Sequence, residues 1–553
     1  MGLRQIKNSR IPEKLDPWII ALLGCLFFLP GIGQVHLFDW DEINFAECAR
    51  EMIESGNYLR VQINFQPFWE KPPLFFWFQA ASMKLFGINE FAARFPNVLA
   101  GIGSLLALYF IGKQWRNRQF GWLWVAAYFG SLLPHLYFRS GIIDPWFNLF
   151  IFLSLYAFIR LSEKISRSKL TWALLGGISI GLAILTKGPV AALILGLCIL
   201  IYWIIKRFQP VPNWKWIGIF GLSALVMVGS WFGLDWYQNG PWFTKTFIEY
   251  QIRLLSTEDA GHGGFPGYHF VVLLFGCFPA ATLGIRAWFQ KIKSGDPDPI
   301  DLERWMRILF WVVLILFSLV QSKIVHYSSL CYFPLSFLAA SQIQGWIRNG
   351  LPIPKLEKYL TLGIGSLWAI ACLALPFVGR HPEWIAPLLD KDPFAVANLE
   401  ALVQWPILTI VPGVFLAVLL WLFMRSSKQT TTSRAILQFF VGTALFLFLA
   451  LWAFLGRIEQ YSQRAIIEFY KEHQEEKAYF HPVGFKSYAP LWYARVEADL
   501  PAESKDPNWL FNGTIDRDVY FITKINKESR LSDKPQLQKV WSENGFVVYK
   551  RSK

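Results

Sequence analysis

Apolar stretches long enough to cross a bilayer recur from residue 18 to about residue 456 and then stop. The candidate spans are roughly 18–38, 91–112, 120–138, 143–160, 171–187, 189–206, 214–234, 268–289, 305–321, 327–347, 359–379, 403–424 and 435–455, thirteen in all. The runs are continuous rather than alternating, which fits a β-barrel poorly and predicts helices that satisfy their own backbones in lipid. Segment 73–86 is apolar but short, and is bracketed by Glu70, Lys71 and Glu90. That length predicts a buried or interfacial helix rather than a crossing. After residue 456 the texture changes. Residues 458–476 read as a polar helix, and strand-like runs follow at Ala478–Phe480, Val519–Ile522 and Phe546–Tyr549. The expected fold is therefore an all-α polytopic membrane protein of about 13 transmembrane helices (residues 1–456) with a small C-terminal soluble α/β domain (residues 457–553).

Composition sharpens this. Of 553 residues, 54% are hydrophobic and only 17% charged. Soluble domains are charged at roughly 25% of positions. The formal charge of +14 would suit a nucleic-acid binder. Its distribution argues otherwise, because the basic residues gather in the linkers on one side of the predicted bundle. That side holds Lys113, Arg116 and Arg118, then Arg160, Lys169, Lys206 and Arg207, then Arg286, Arg348 and Arg425. This bias is a topology signal that puts these linkers and the N-terminus in the cytoplasm, provided 73–86 does not cross. Segments 39–90, 139–142, 235–267, 323–326 and 380–402, and everything after 456, then lie outside. The six cysteines are scattered without metal-binding spacing and read as apolar fillers.

The chemistry concentrates in those external segments. Asp39, Asp41, Glu42, Glu47, Arg50, Glu51 and Glu54 follow the first span directly. Acids pinned against a membrane span cost solvation energy unless water, a metal or a cation receives them. Asp41 is placed to cap a helix that Gly56 would end. Glu70 and Lys71 precede Pro72-Pro73, which fix the backbone direction and release the short helix; a lysine there can hold a phosphate as a point charge. Arg139 and Asp144 stand at the outer ends of two spans. Lys187, in Thr186-Lys187-Gly188-Pro189, lies outside against the charge bias and needs an anionic partner. Arg253 in loop 235–267 and Lys323 beside His326 complete the set. Snorkelling or solvated charges explain each residue singly. Together they place acids and cations on one face of an apolar bundle, which suits an amphipathic phospholipid substrate. A carboxylate would deprotonate an acceptor hydroxyl while the cations stabilise a departing phosphate.

These motifs resemble the GT-C class of membrane glycosyltransferases, in particular the aminoarabinose lipid A transferase-like and protein O-mannosyltransferase-like family. The family's pattern stands here as Asp41-Glu42, then Ala46-Glu47-Cys48-Ala49-Arg50-Glu51-Met52, then Glu70-Lys71-Pro72-Pro73. Leu85-Phe86-Gly87 with Ala93-Arg94, Leu185-Thr186-Lys187-Gly188-Pro189, and Lys323 with Tyr332-Phe333-Pro334 also match. The resemblance covers about residues 15–460. It implies transfer of a sugar from a polyprenyl-phosphate lipid, with inversion, on the periplasmic side of a bacterial inner membrane, to lipid A, a glycan or another hydroxyl. It also implies Asp41 as the catalytic carboxylate with Glu42 and Asp144 as accompanying acids. Glu70, Lys71, Arg139, Lys187, Arg253 and Lys323 become substrate- and phosphate-binding residues. A divalent metal at Asp41 is associated with the class, though no residue pattern here requires one. Asn44, Phe45 and Gln251 replace the usual arginine, tyrosine and histidine near the donor, so the sugar stays open between an aminoarabinose-like residue and other pentoses or hexoses. The expected partners are the donor lipid, the acceptor and bilayer lipid, with the chain a monomer. A protein O-glycosyltransferase and a sugar-lipid transporter are the alternatives; the absence of a repeat relating two halves speaks against the transporter.

Overall fold

The computed structural model describes residues 12–163, 168–256, 263–290, 298, 300–426 and 430–553. Gly261 and His262, which in sequence read as a glycine-bearing tip of the loop 235–267, lie outside them. Seven helices in the described residues are long and apolar enough to cross a membrane: Glu90–Trp115, Asp144–Ser162, Lys169–Lys187, Trp214–Asn239, Lys355–Arg380, Ile407–Ser426 (its first turn a tighter 3-10 turn) and Ser433–Ser462. The other expected spans are helical but short, interrupted or charged. The first is the 13-residue helix Asp16–Phe28, and the helix Val190–Ile205 has 16 residues. Leu302–Leu319 opens on Glu303, Arg304 and Arg307. Tyr332–Arg348 is preceded by a 3-10 turn, Val325–Cys331.

Two expected spans are broken, and the breaks answer each other. Arg118–Phe129 and Leu132–Tyr137 part at Gly130-Ser131, and Tyr268–Gly276 and Ala280–Leu283 part at Cys277–Pro279. Proline has no N–H to continue the ladder. The Leu132 N–H donates to the Phe278 carbonyl at 3.2 Å, and the Ser131 hydroxyl donates to the Ala127 carbonyl at 2.6 Å. Irregular backbone at membrane depth is tolerated where protein satisfies it in this way. Gly130 also lets the helix Ser433–Ser462 pass close to the first break, because a Cβ there would collide with the Phe440 carbonyl oxygen.

The first external segment is ordered. The helix Asp41–Ser55 ends on Gly56, whose φ is +68°. Glycine adopts that left-handed conformation without steric penalty. Asp41 does not cap this helix. Trp40 occupies the cap position and Asp41 is the first helical residue, which leaves its carboxylate available to other partners. A short antiparallel ladder, β1 (Gln62–Ile63) with β2 (Gln66–Pro67), leads to Pro72-Pro73 and the helix Leu74–Phe86. At 13 residues that helix packs against Asp41–Ser55 and Glu90–Trp115. It is too short to cross a bilayer.

The tail carries a four-stranded sheet of order β3-β4-β6-β5, with β3 Tyr479–Pro482, β4 Val519–Lys524, β5 Gln538–Glu543 and β6 Phe546–Arg551. β3 pairs parallel with β4; the other pairings are antiparallel. The last long helix continues to Ser462, so the polar helix of the tail is only Arg464–Glu472. Strand alternation divides the sheet. Tyr520, Ile522, Phe546 and Val548 join the core of the bundle, while Tyr479, Val519, Phe521, Val547 and Tyr549 enclose a second core with Leu510 and Leu531.

Candidate functional site

Three helix ends and one tight turn converge outside the bundle. Asp41 opens the helix Asp41–Ser55 and Asp144 opens Asp144–Ser162. Lys187 is the last residue of Lys169–Lys187, and His326 lies in the 3-10 turn Val325–Cys331. Acids at helix starts and a lysine at a helix end also suit the helix dipoles. The Lys187 ammonium donates to Asp144 Oδ1 at 2.7 Å. The same ammonium stands 5.1 Å from the Tyr327 ring centre and 5.7 Å from that of Phe147. His326 Nε2 is 3.8 Å from Asp41 Oδ2 and 3.9 Å from Asp144 Oδ2. Both gaps exceed hydrogen-bonding distance, so the imidazole stands between two carboxylates without being locked to either. Burial lowers the His326 pKa, and the Lys187 and Lys71 charges add to this while Asp144 and Asp41 oppose it; the ring is neutral near pH 7.

Lys71 enters from Pro72-Pro73. Burial lowers its pKa, opposed by the charges of Glu70 and Asp41. Its ammonium lies 5.4 Å from the centre of the Tyr250 ring, and the Arg253 guanidinium lies 5.3 Å from that same ring. Tyr250 thus collects two cations beside the carboxylates, held by the negative potential of the ring face. The ring-bearing helix Trp242–Ser256 approaches Lys187 closely at Gly188: its φ is +104°, and a Cβ there would meet the Phe247 ring at 2.5 Å. Asp41 is the exposed acid of the group, with 45% of its side chain accessible, against 3% for Asp144.

Comparison with known proteins fits this arrangement. Residues 70–231 match the family described as dolichyl-phosphate-mannose-protein mannosyltransferase, a stretch that holds Glu70, Lys71, Asp144 and Lys187. The chain is 27% identical over 366 residues to an undecaprenyl phosphate-alpha-4-amino-4-deoxy-L-arabinose arabinosyl transferase of Shewanella sediminis, covering 66% of each. It is 27% identical over 378 residues to the protein of that name from Pectobacterium carotovorum, covering 66% of this chain and 65% of the relative. These alignments span about two thirds of the relatives' length. The chain thus resembles the GT-C membrane glycosyltransferases like aminoarabinose lipid A transferase and the protein mannosyltransferases. The fold agrees: the crystal structure of ArnT from Cupriavidus metallidurans bound to undecaprenyl phosphate superposes with a TM-score of 0.74 at 17% identity, covering 98% of both chains, tail included. Its apo form gives 0.73.

Several residues expected in the site have other partners. Each Glu42 oxygen accepts two hydrogen bonds. Oε1 takes Arg94 Nε at 2.9 Å and the Gly141 N–H at 2.5 Å; Oε2 takes Arg94 Nη2 at 2.7 Å and the Phe38 N–H at 3.0 Å. Burial pushes its pKa up, but Arg94 and those N–H groups outweigh this, and it stays below the usual range. Glu42 is a structural anchor beside Asp41. Arg139 donates at 2.6 Å to the Phe27 and Pro30 carbonyls and so closes the end of the first helix rather than joining the cluster. Lys323 donates to the Ser318 carbonyl at 2.7 Å and to that of Val320, capping Leu302–Leu319. Asn44 and Phe45 are buried, Phe45 against Phe75 and Phe76, so neither of these departures from the family pattern lies open to a donor. His326 is the member of the site with the faintest sequence signal, its place just after Lys323.

A divalent cation at Asp41 finds little support in this donor set. No group of three His, Cys, Asp or Glu side chains among the described residues is arranged to hold a metal. Asp144, the second carboxylate, is engaged by Lys187 at 2.7 Å.

Proposed function

We propose that this chain transfers a sugar from a polyprenyl-phosphate donor to a hydroxyl acceptor at the external face of a bacterial inner membrane, inverting the anomeric carbon. The observation that carries the reading is the junction of an accessible carboxylate, Asp41, with the cations Lys71, Lys187 and Arg253 at the edge of an apolar bundle. The donor chain lies among the helices and its phosphate meets Lys71 and Arg253 over Tyr250. An acceptor hydroxyl of lipid A, a glycan or another molecule attacks the anomeric carbon. The new C–O bond forms as the bond from that carbon to the phosphate oxygen breaks, and the hydroxyl proton passes to Asp41. The leaving phosphate departs as an anion and needs no general acid. Asp144 sets the position of Lys187, Glu70 partners Lys71, and Glu42 holds the helix that presents Asp41.

The membrane arrangement that goes with this reading has thirteen crossings, the shorter and broken helices included, with the N-terminus inside and the tail outside. Mass-spectrometric transfer assays on purified protein with a polyprenyl-phosphate sugar test the function. Asp41→Asn is expected to retain the fold and donor binding while turnover falls roughly 10²–10⁴-fold, the usual worth of a general base. Near wild-type turnover of D41N would overturn the assignment. Donor movement across vesicles without transfer would favour the transporter.

A further inference from the structure

We propose that the tail helps to build the acceptor's binding place: Trp40, held by Lys486 and Tyr488, is a platform on which a sugar ring of the acceptor stacks beside Asp41. The proposal rests on the transfer reading above and narrows its acceptor to a saccharide. Trp40 immediately precedes Asp41, so indole and carboxylate leave the chain at the start of one helix. Both are accessible: Trp40 keeps 38% of its surface, and the Asp41 side chain 45%. A single exposed tryptophan is ordinary, and at a membrane surface the residue commonly anchors a chain in the interface. The contacts of Trp40 speak for a different role.

The tail holds this ring. The indole Nε1–H donates to the Lys486 carbonyl at 3.2 Å, so its polar edge is engaged by protein and not by lipid headgroups. The exposed Lys486 ammonium stands 4.8 Å from the indole centre and 5.1 Å from that of Tyr488. The negative potential of the ring faces favours a cation there. The Tyr488 ring meets the indole edge-on, with 6.4 Å between centres and 83° between planes. Tyr488 is 9% accessible, and its N–H donates to the Asp39 carboxylate, 3.2 Å from Oδ1 and 3.3 Å from Oδ2. Residues 486 and 488 of the tail thus grip residues 39 and 40, and the surface they make runs on to Asp41.

On the proposed mechanism the donor phosphate meets Lys71 and Arg253 at Tyr250, on the helix Trp242–Ser256 and the segment before Leu74–Phe86. The tail's side of Asp41 is left for the acceptor, which arrives from outside. A flat ring face beside a general base suits the C–H-bearing face of a pyranose, as aromatic faces attract positively polarised edges. An ammonium at its border donates to ring hydroxyls or to an anionic substituent. Peptide acceptors are read chiefly by a sheet edge or a groove. The groups that flank Asp41 here are instead side chains, two rings and an ammonium.

The test uses the full chain in nanodiscs. Saturation-transfer NMR needs no turnover. Methyl glucoside is expected to receive saturation at its ring C–H protons, less so with Trp40→Ala or Lys486→Gln, and nearly as in wild type with Trp40→Phe. Transfer is then measured from a polyprenyl-phosphate pentose to a lipid-linked disaccharide and to the same disaccharide without lipid. W40A should raise the acceptor KM about threefold to tenfold for both, the worth of an aromatic contact, with donor KM unchanged. Lowered kcat or melting point with both KM values intact would make Trp40 merely structural and overturn the proposal. A raised donor KM alone would assign the ring to the donor sugar, and an effect confined to the lipid-linked acceptor would assign it to the lipid; either overturns it. Stronger saturation of a serine-containing peptide than of the glucoside would overturn it in favour of a protein acceptor. Sugar contact without any transfer would refute the transfer reading while the platform stands. Transfer with W40A kinetics like wild type would refute the platform alone.

Discussion

Glu42→Gln separates anchoring from chemistry at the acidic pair that opens the external helix. The substitution keeps shape but removes charge. Glu42 and Arg94 are 6% and 3% accessible, and the carboxylate accepts two bonds from Arg94 and one each from the Phe38 and Gly141 N–H groups. Losing one partner of a buried pair strands the other, at about 3–5 kcal/mol. Arg94 retains bonds to the Ile32 and Val35 carbonyls at 2.7 Å and to that of His36 at 2.9 Å, so the lower end of that range is expected. Arg94→Met loses those three bonds as well and should cost more. The double variant E42Q/R94M should then be little worse than R94M alone, a non-additivity of about 1–3 kcal/mol typical of contacting residues. The assay is detergent melting of all four proteins with transfer activity measured below each midpoint. The pH dependence follows from the depressed Glu42 pKa. Its stabilisation is fully present above the ordinary glutamate value, near about 4.3, and is lost as pH falls through the lower folded value. E42Q should therefore lack that acid limb. If E42Q melts like wild type but is inactive, Glu42 acts in the chemistry and the anchoring argument fails.

Glu51 gives the converse pH effect. Burial, then the neighbouring Glu47 charge, pushes its pKa up to about 9. Its contribution to stability therefore falls as pH rises from the ordinary glutamate value, about 4.3, towards the folded one. Glu51→Gln should flatten the alkaline limb of a melting-versus-pH curve, and an unchanged limb would refute it. Lys71→Met should weaken polyprenyl-phosphate affinity about tenfold to a hundredfold, the worth of a charge-assisted bond, in a titration of purified protein; intact affinity with a lowered melting point would leave Lys71 a structural residue. Cysteine at exposed Ser542 in β5 should react with an impermeant thiol reagent in spheroplasts, and cysteine at Ser168 should not; the reverse pattern would reject the proposed orientation.

Hydropathy made the bundle legible because lipid imposes the same requirement on every crossing. It could not show that two spans would break. Gly130-Ser131 and Pro279 are local signals, but the bond from Leu132 to Phe278 joins two breaks that lie far apart along the chain. The other three strands of the tail announced themselves by apolar runs. β5 did not, because in Gln538–Glu543 only Trp541 is even half-buried. An exposed edge strand of this kind carries polar side chains and no apolar run. Composition likewise sets the tail apart as a domain, whereas Tyr520 and Val548 share the bundle's core.

At the site, the residue types were legible and their pairings were not. Arg139 and Lys323 look like phosphate ligands in sequence because each is a cation beside an external loop. In three dimensions each closes the carbonyl end of a helix, a need that hydropathy does not register. On the proposed mechanism Lys71, Lys187 and Arg253 are the cations left for a donor phosphate, and they do not stand alike. Lys187 is held by Asp144 at 2.7 Å, whereas Lys71 and Arg253 share the Tyr250 ring. On that mechanism a phosphate at Tyr250 meets Lys71 and Arg253, while the Lys187–Asp144 pair stays beside His326. On the proposed mechanism the labour divides by geometry: two cations face the leaving group, and Asp144, neutralised by Lys187, spares Asp41 an uncompensated second carboxylate across the imidazole.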